Sequence, residues 1–153
     1  MSEEEIIEFC EDFEYNPILF EAFQTVGTER KLIYHTNVMM SVGETFAIIC
    51  AESIDDKKER KIVLDSLRGD EKEIILITED QVNNFAGNML EVKGYDDKRY
   101  LVMSTSAYNS LTKKQIAQIE EHVTILSSSL DTIEACGGGS ARCMMAEIFL
   151  PKK

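Results

Sequence analysis

KLIYHTNVMMSVGETFAIICA, residues 31–51, is the stretch on which the fold turns. Residues 31–40 are rich in strand formers, Ser41-Val42-Gly43-Glu44 reads as a turn, and residues 45–51 are a second apolar run, so the stretch predicts a β-hairpin. Downstream, residues 55–67 place Ile62, Val63 and Leu67 on one stripe with charges elsewhere. That predicts an amphipathic helix ending at Gly69. Residues 73–77 (EIILI) are a short apolar strand. The unit is β-β-α-β. The same order follows again: a short helix over 78–84 capped by Thr78, strands over 89–92 and 100–103, a helix over 112–121 and a strand over 123–126. Little sequence identity links the two units, so the repeat lies in element order. The expected organisation is one domain: a helical segment over 1–25, modules over 31–78 and 79–127, then a glycine-rich loop and a final strand over 136–150.

At 153 residues the chain has the length of one domain with a sizeable core. Hydrophobic residues make up 44% and charged residues 29%, a globular balance that argues against wholesale disorder. Sixteen basic against 28 acidic residues give a net charge of −12. Such a chain repels phosphate backbones and anionic lipid, so neither nucleic acid nor a membrane surface is an expected partner. No apolar run approaches the roughly 18 residues of a spanning helix. Met-Ser-Glu-Glu-Glu lacks the apolar stretch of a signal peptide. Cys10, Cys50, Cys136 and Cys143 are scattered without a CxxC, which reads as free thiols in a reducing, cytoplasmic compartment. The acidic start, with Ser2 and Glu5 at capping-box spacing, predicts a helix to about residue 15 that Asn16-Pro17 breaks. It is expected to cover an exposed edge of the fold.

The candidate chemistry lies near the C-terminus. In Cys136-Gly137-Gly138-Gly139-Ser140-Ala141-Arg142-Cys143, three consecutive glycines imply positive φ or a close backbone approach. Backbone N–H groups in such a loop can stabilise a thiolate at Cys143. On composition alone, a flexible surface loop followed by a buried structural thiol is the favoured reading, since free Cys is among the most buried residue types. His35, inside an apolar run, is the natural acid or base if Cys143 is a nucleophile. His122 ends a helix, where a cation suits the dipole. Gly137–Gly139 is no P-loop, since no Gly-Lys-Ser/Thr follows, and no cluster has zinc spacing, so no cofactor or metal is expected.

Three blocks in order, YHTNVMM (34–40), FAGNMLE (85–91) and GGGSARCM (137–144), resemble the amidinotransferase-like (CtlX-like) branch of the guanidino-group-modifying superfamily, which includes arginine deiminases, amidinotransferases and dimethylarginine hydrolases. The resemblance runs from about Phe20 onward and implies a pentein fold, an α/β propeller of β-β-α-β modules, here about two modules and a closing strand. It implies a thiolate that attacks a guanidinium carbon, with water or an amine resolving the covalent intermediate. Cys143 then matches the nucleophile and His35 the acid–base residue. Asn37, Asn88, Gly138, Gly139 and Arg142 match substrate-binding positions. Asn37 stands where many relatives carry an Asp, and supplies no charge.

The expected ligand is a small guanidino compound, a planar cation suited to carboxylates near the thiol. Relatives are longer, and their N-terminal half supplies further modules and those acids. The expected partner is therefore a second copy or a complementary N-terminal half. A non-catalytic half-length homologue is the alternative function. The final strand after Cys143 has no evident partner within the chain.

Overall fold

A computed structural model describes residues 3–95 and 97–148. In chain order come α1 (Glu3–Asp12), a hairpin of β1 (Phe23–Val26) and β2 (Glu29–Leu32), a single turn α2 (Thr36–Met39), β3 (Met40–Val42), β4 (Phe46–Ile49), α3 (Lys57–Gly69) and β5 (Glu73–Leu76). Then follow α4 (Glu79–Asn83), β6 (Leu90–Lys93), β7 (Arg99–Ser104), α5 (Thr105–Ser110), α6 (Lys113–Glu120), β8 (Thr124–Ser128) and α7 (Asp131–Gly137).

Two mixed sheets carry the α/β fold. β4 pairs antiparallel with β3, Met40 opposite Ile49, and parallel with β5, Phe46 opposite Glu73. β7 repeats this with β6, Leu90 opposite Val102, and with β8, Tyr100 opposite Thr124. The parallel pairs need crossovers, which the helices between them supply. Phe46–Ile49 are buried along their whole length, as expected of a central strand covered on both faces. Asp56 caps α3 by accepting from the Lys58 and Glu59 N–H groups at 2.7 and 3.0 Å. Val63 and Leu67 on α3 enter the core.

Two capping boxes meet where the modules join. Thr78 and Gln81 form one at α4, and Thr112 and Gln115 form another at α6. Their glutamines then meet: Gln81 Nε2 donates to Gln115 Oε1 at 2.8 Å and Gln115 Nε2 donates to Gln81 Oε1 at 3.0 Å. Gln115 Nε2 also donates to the Leu76 carbonyl of β5 at 2.7 Å. His122 sits in the same seam, its Nδ1 2.8 Å from Thr45 Oγ1 and its Nε2 3.2 Å from Glu73. It therefore bridges the modules as well as ending α6.

Arg30 ties the β1–β2 hairpin to the body through Asp55 and Glu79. The two carboxylates raise the Arg30 guanidinium above its ordinary range. Burial works to raise the Glu79 carboxyl, but hydrogen bonds from Arg30 and Thr25 outweigh it and hold the group below its usual range.

The structure departs from the expected elements in several places. Residues 31–40 are not one strand: Lys31 and Leu32 close β2, residues 36–39 form the α2 turn, and only Met40 starts β3. Met39 is fully buried, and its carbonyl accepts from the Cys50 N–H at 2.9 Å, so core packing overrides strand propensity there. By contrast α3 ends at Gly69 as expected, and its turn into β5 uses a left-handed Glu71. Residues 136–150 are not loop then strand: Cys136 and Gly137 end α7, residues 141–144 form a 3-10 turn, and 145–148 pair with no strand, while 149 and 150 lie outside the described residues. Finally, α1 ends at Asp12 rather than near residue 15 and buries none of its residues; Phe9 packs on Phe13, and Phe13 on Tyr15.

Because the folded Glu79 carboxyl ionises more readily than an unfolded one, its contribution is complete above the unfolded value of about 4.3 and is lost as pH falls through the lower folded value. Urea titrations of wild type and Glu79→Gln therefore converge in stability on acidification from pH 6. Parallel curves across that range would contradict the Arg30–Glu79 anchor.

Candidate functional site

The α2 turn, the α4–β6 turn and the glycine-rich segment after α7 converge on one cavity of about 240 Å³. Its lining includes His35, Asn37, Phe85, Asn88, Gly139 and Cys143.

Each segment reaches the cavity for a local reason. His35 precedes α2 in extended conformation, and its carbonyl accepts from the Val38 N–H at 3.1 Å. The following turn swings Asn37 and Val38 to the cavity while sending Met39 into the core. α4 ends in a Schellman motif: the Phe85 N–H reaches the Val82 carbonyl at 2.9 Å and the Ala86 N–H reaches Gln81 at 2.9 Å. Phe85 takes the left-handed position usually given to glycine, with φ 64°. Such backbone in a non-glycine residue costs about 1–2 kcal/mol, and here it turns the Phe85 side chain to the cavity and sets up Asn88. Gly87 then crosses the α2 end so closely that a Cβ would run into the Val38 carbonyl oxygen and come within 2.8 Å of the Met39 carbonyl carbon.

The sulfur of Cys143 is the focus of the hydrogen bonding. Asn88 Nδ2 lies 3.2 Å from Cys143 Sγ and Asn37 Nδ2 lies 3.9 Å from it, the second at the outer limit of an N–H···S contact. Asn88 Nδ2 also donates to the Asn37 carbonyl at 2.9 Å. A Cβ on Gly139 would stand 3.0 Å from Cys143 Cβ and 3.2 Å from its Sγ, so this glycine leaves the space in which the sulfur sits. Cys143 is itself exposed, which removes the buried-core reading of its thiol. His35 is also exposed, its ring packed on Tyr34 with centroids 4.5 Å apart, and no hydrogen bond joins it to Cys143 among the described residues.

Of the residues singled out from sequence, Cys143, His35, Asn37, Asn88, Gly138 and Gly139 line the one cavity. Arg142 does not; its guanidinium turns to the Met145 carbonyl at 3.3 Å and Glu147 at 3.5 Å. The expected carboxylates near the thiol are also missing: no Asp or Glu stands in this lining among the described residues. Tyr34 and Phe85 line it and lay inside the quoted blocks, yet their types alone gave no chemical signal.

Glu134, on α7, escaped the sequence reading altogether. Its carboxylate accepts from Ser140 Oγ at 2.6 Å and from Ser106 Oγ at 2.8 Å. Ser140 is fully buried, so this link fixes the loop that carries Gly138, Gly139 and Cys143 to α5 and α7. No helix among the described residues is long and apolar enough to cross a membrane.

Two ββαβ modules, with a thiol, an imidazole and two carboxamides around one cavity, define the class to which comparison leads. The family model for N,N dimethylarginine dimethylhydrolase, eukaryotic, matches residues 1–150, and the chain belongs to that family. Its place is thus within the guanidino-group-modifying, pentein-fold superfamily. The N-terminal domain of ArgZ, an arginine dihydrolase from Cyanobacteria, superposes with a TM-score of 0.64 at 12% identity, covering 92% of this chain and 45% of that domain. A second ArgZ structure, in its apo state, gives a TM-score of 0.55 at 16% identity, covering 72% of this chain and 16% of that one. The chain thus spans under half of each solved relative, and the likeness shows the fold. No curated protein matched in the comparison by sequence.

Replacing Glu134 with Ala leaves the buried Ser140 hydroxyl without its acceptor, which should lower stability by about 1–3 kcal/mol. Urea denaturation measures this. A loss confined to a few tenths would mean that another acceptor takes over.

Proposed function

We propose that the chain is a Cys-dependent hydrolase of guanidino compounds, with Cys143 as nucleophile and His35 as acid and base. The observation that carries this reading is the convergence of Cys143, His35 and the two amide donors on a single cavity in a member of the dimethylarginine dimethylhydrolase family. The family name points to an N-methylated arginine, and that of the structural relatives to arginine; both are guanidino compounds. The amidinotransferase-like placement, and the alignment of this chain with the C-terminal half of relatives, rest on the three motif blocks. They make transfer to an acceptor amine the variant chemistry at the same sulfur.

In the proposed reaction the Cys143 thiolate adds to the guanidinium carbon. The C–N bond to the leaving amine or ammonia then breaks, and His35 in its protonated form delivers the proton that the leaving nitrogen needs. This leaves a covalent amidino-thiol intermediate. Water adds to its carbon, neutral His35 takes the water proton, and the C–S bond breaks to return the thiolate. Asn37, Gly138 and Gly139 present polar groups at the wall against which the planar guanidinium would lie.

A second reading has a specific observation behind it. A guanidinium is a cation, and among the described residues the cavity lining holds no carboxylate to grip it. In this reading the chain supplies the sulfur side of a site whose acids come from a second polypeptide, either another copy or a complementary half.

The test is release of ammonia or amine from a panel of guanidino compounds. Turnover by the chain alone, abolished in Cys143→Ser and reduced about 10²–10⁴-fold in His35→Ala, is the expected result for the first reading. Full activity in Cys143→Ser would overturn it. Turnover only at concentrations where the chain self-associates would select the second reading.

A further inference from the structure

We propose that Asn88 is a positioning residue: its carboxamide, oriented by the backbone of Asn37, seats the Cys143 sulfur. This rests on the reading of Cys143 as the reactive group, and it gives Asn88 a role distinct from substrate binding.

The hydrogens of Asn88 Nδ2 are both committed. One points to the Asn37 carbonyl at 2.9 Å and the other to Cys143 Sγ at 3.2 Å. The Asn37 carbonyl can only accept, so it requires the NH2 side of the amide and forbids the flipped orientation. Fixing one N–H in this way aims the other at sulfur. The opposite end of the amide adds nothing to the choice: Asn88 Oδ1 is buried and has no hydrogen-bond partner among the described residues. With that oxygen enclosed and both donors in use, Asn88 has no polar atom left for a ligand in the cavity. Its side chain is almost wholly buried, at 4% exposure, whereas Cys143 is exposed. The arrangement therefore faces the sulfur from below with an N–H donor and leaves its other side open to solvent.

Two glycines make the seat possible. Gly87 lets the Asn88 segment press against the Val38–Met39 backbone, which brings the Asn37 carbonyl within reach of the amide. Gly139 clears the volume beside Cys143 Cβ and Sγ. Asn37 contributes its carbonyl to orient Asn88 and, more weakly, its own side-chain N–H to the sulfur at 3.9 Å. No cationic side chain among the described residues stands in hydrogen-bond contact with the sulfur, so the amide is the principal donor to it. Donors favour the anionic sulfur over the neutral thiol, and they hold it in one place.

The test compares alkylation of Cys143 and Cys136 by iodoacetamide, followed by peptide mass spectrometry on the full chain. In this reaction sulfur bonds to the acetamide carbon and iodide leaves. Cys136 is exposed and lies outside the cavity lining, so it serves as the internal reference. The Cys143-to-Cys136 rate ratio should fall about tenfold in Asn88→Ala, the loss of one hydrogen bond to a charged group. Asn88→Asp keeps the shape but replaces the donor with an acceptor, and should lose as much or more. An unchanged ratio in both variants, at unchanged melting temperature, overturns the proposal.

If the variants do not fold, the wild type decides. Alkylating Cys143 should shift the side-chain amide resonances of Asn88 and leave those of Asn84, which donates elsewhere to the Asp80 carbonyl, in place. Unmoved Asn88 resonances overturn the seat. Guanidine turnover enters none of these measurements. A chain that turns over nothing, yet loses the ratio in the Asn88 variants, keeps the seat and counts against the enzyme. Turnover with an unaltered ratio does the reverse.

Discussion

The approach of Gly87 to the Val38–Met39 backbone is the contact on which the rest of the site depends. Any side chain at position 87 would overlap the Val38 carbonyl oxygen. Because nothing stands between the two segments, the inner edges of the two modules meet there. Ser41 Oγ donates to the Met89 carbonyl at 3.0 Å, and Glu44 N–H donates to Glu91 at 3.0 Å along the same line. Asn37 and Asn88, 51 positions apart in the chain, are thereby brought within 2.9 Å of each other. The Cys143 segment then closes over them, held from the far side by Glu134 and Ser140. The cavity is thus a product of backbone proximity before it is a product of side-chain chemistry.

Charge distributes itself in a less obvious way. A net charge of −12 would seem to favour a guanidinium anywhere on the surface. Yet no carboxylate lines the cavity among the described residues, and several are spent elsewhere. Glu79 and Asp55 hold Arg30, and Glu134 accepts from two serines. What remains at the cavity is a wall of amides, aromatic rings and an imidazole around one sulfur. Neutral donors suit a thiolate, and a cationic ligand still needs an anionic partner. In the proposed reading, the cavity displays the groups that would manage the sulfur more fully than those that would hold the cation.

Much of this was legible in the sequence, and the rest fails for identifiable reasons. The second strand, the Val63 and Leu67 positions of α3 and the Thr78 cap were readable because local pattern and tertiary role agree there, whereas Ile62, expected on the same stripe, is exposed. The stretch over 31–40 misled because Met39 enters the core from a helical turn, a demand set by partners distant in sequence. Residues 131–137 escaped since three glycines at 137–139 drew attention to a loop, while only Gly138 needs positive φ. The cavity residues were found through their motif blocks. That Arg142 turns away toward Glu147, and that Glu134 anchors the loop, depend on side-chain directions that spacing does not encode.

The central claim is that Cys143 is the reactive group of a cavity that takes guanidino compounds. Ligand protection tests it most directly: the alkylation rate of all four cysteines, measured with rising concentrations of arginine and of N-methylated arginine. The account predicts that Cys143 reacts fastest, and that the guanidino compound slows Cys143 while leaving Cys136 untouched. A Cys143 no more reactive than Cys136, with no protection up to the solubility of either compound, would contradict it.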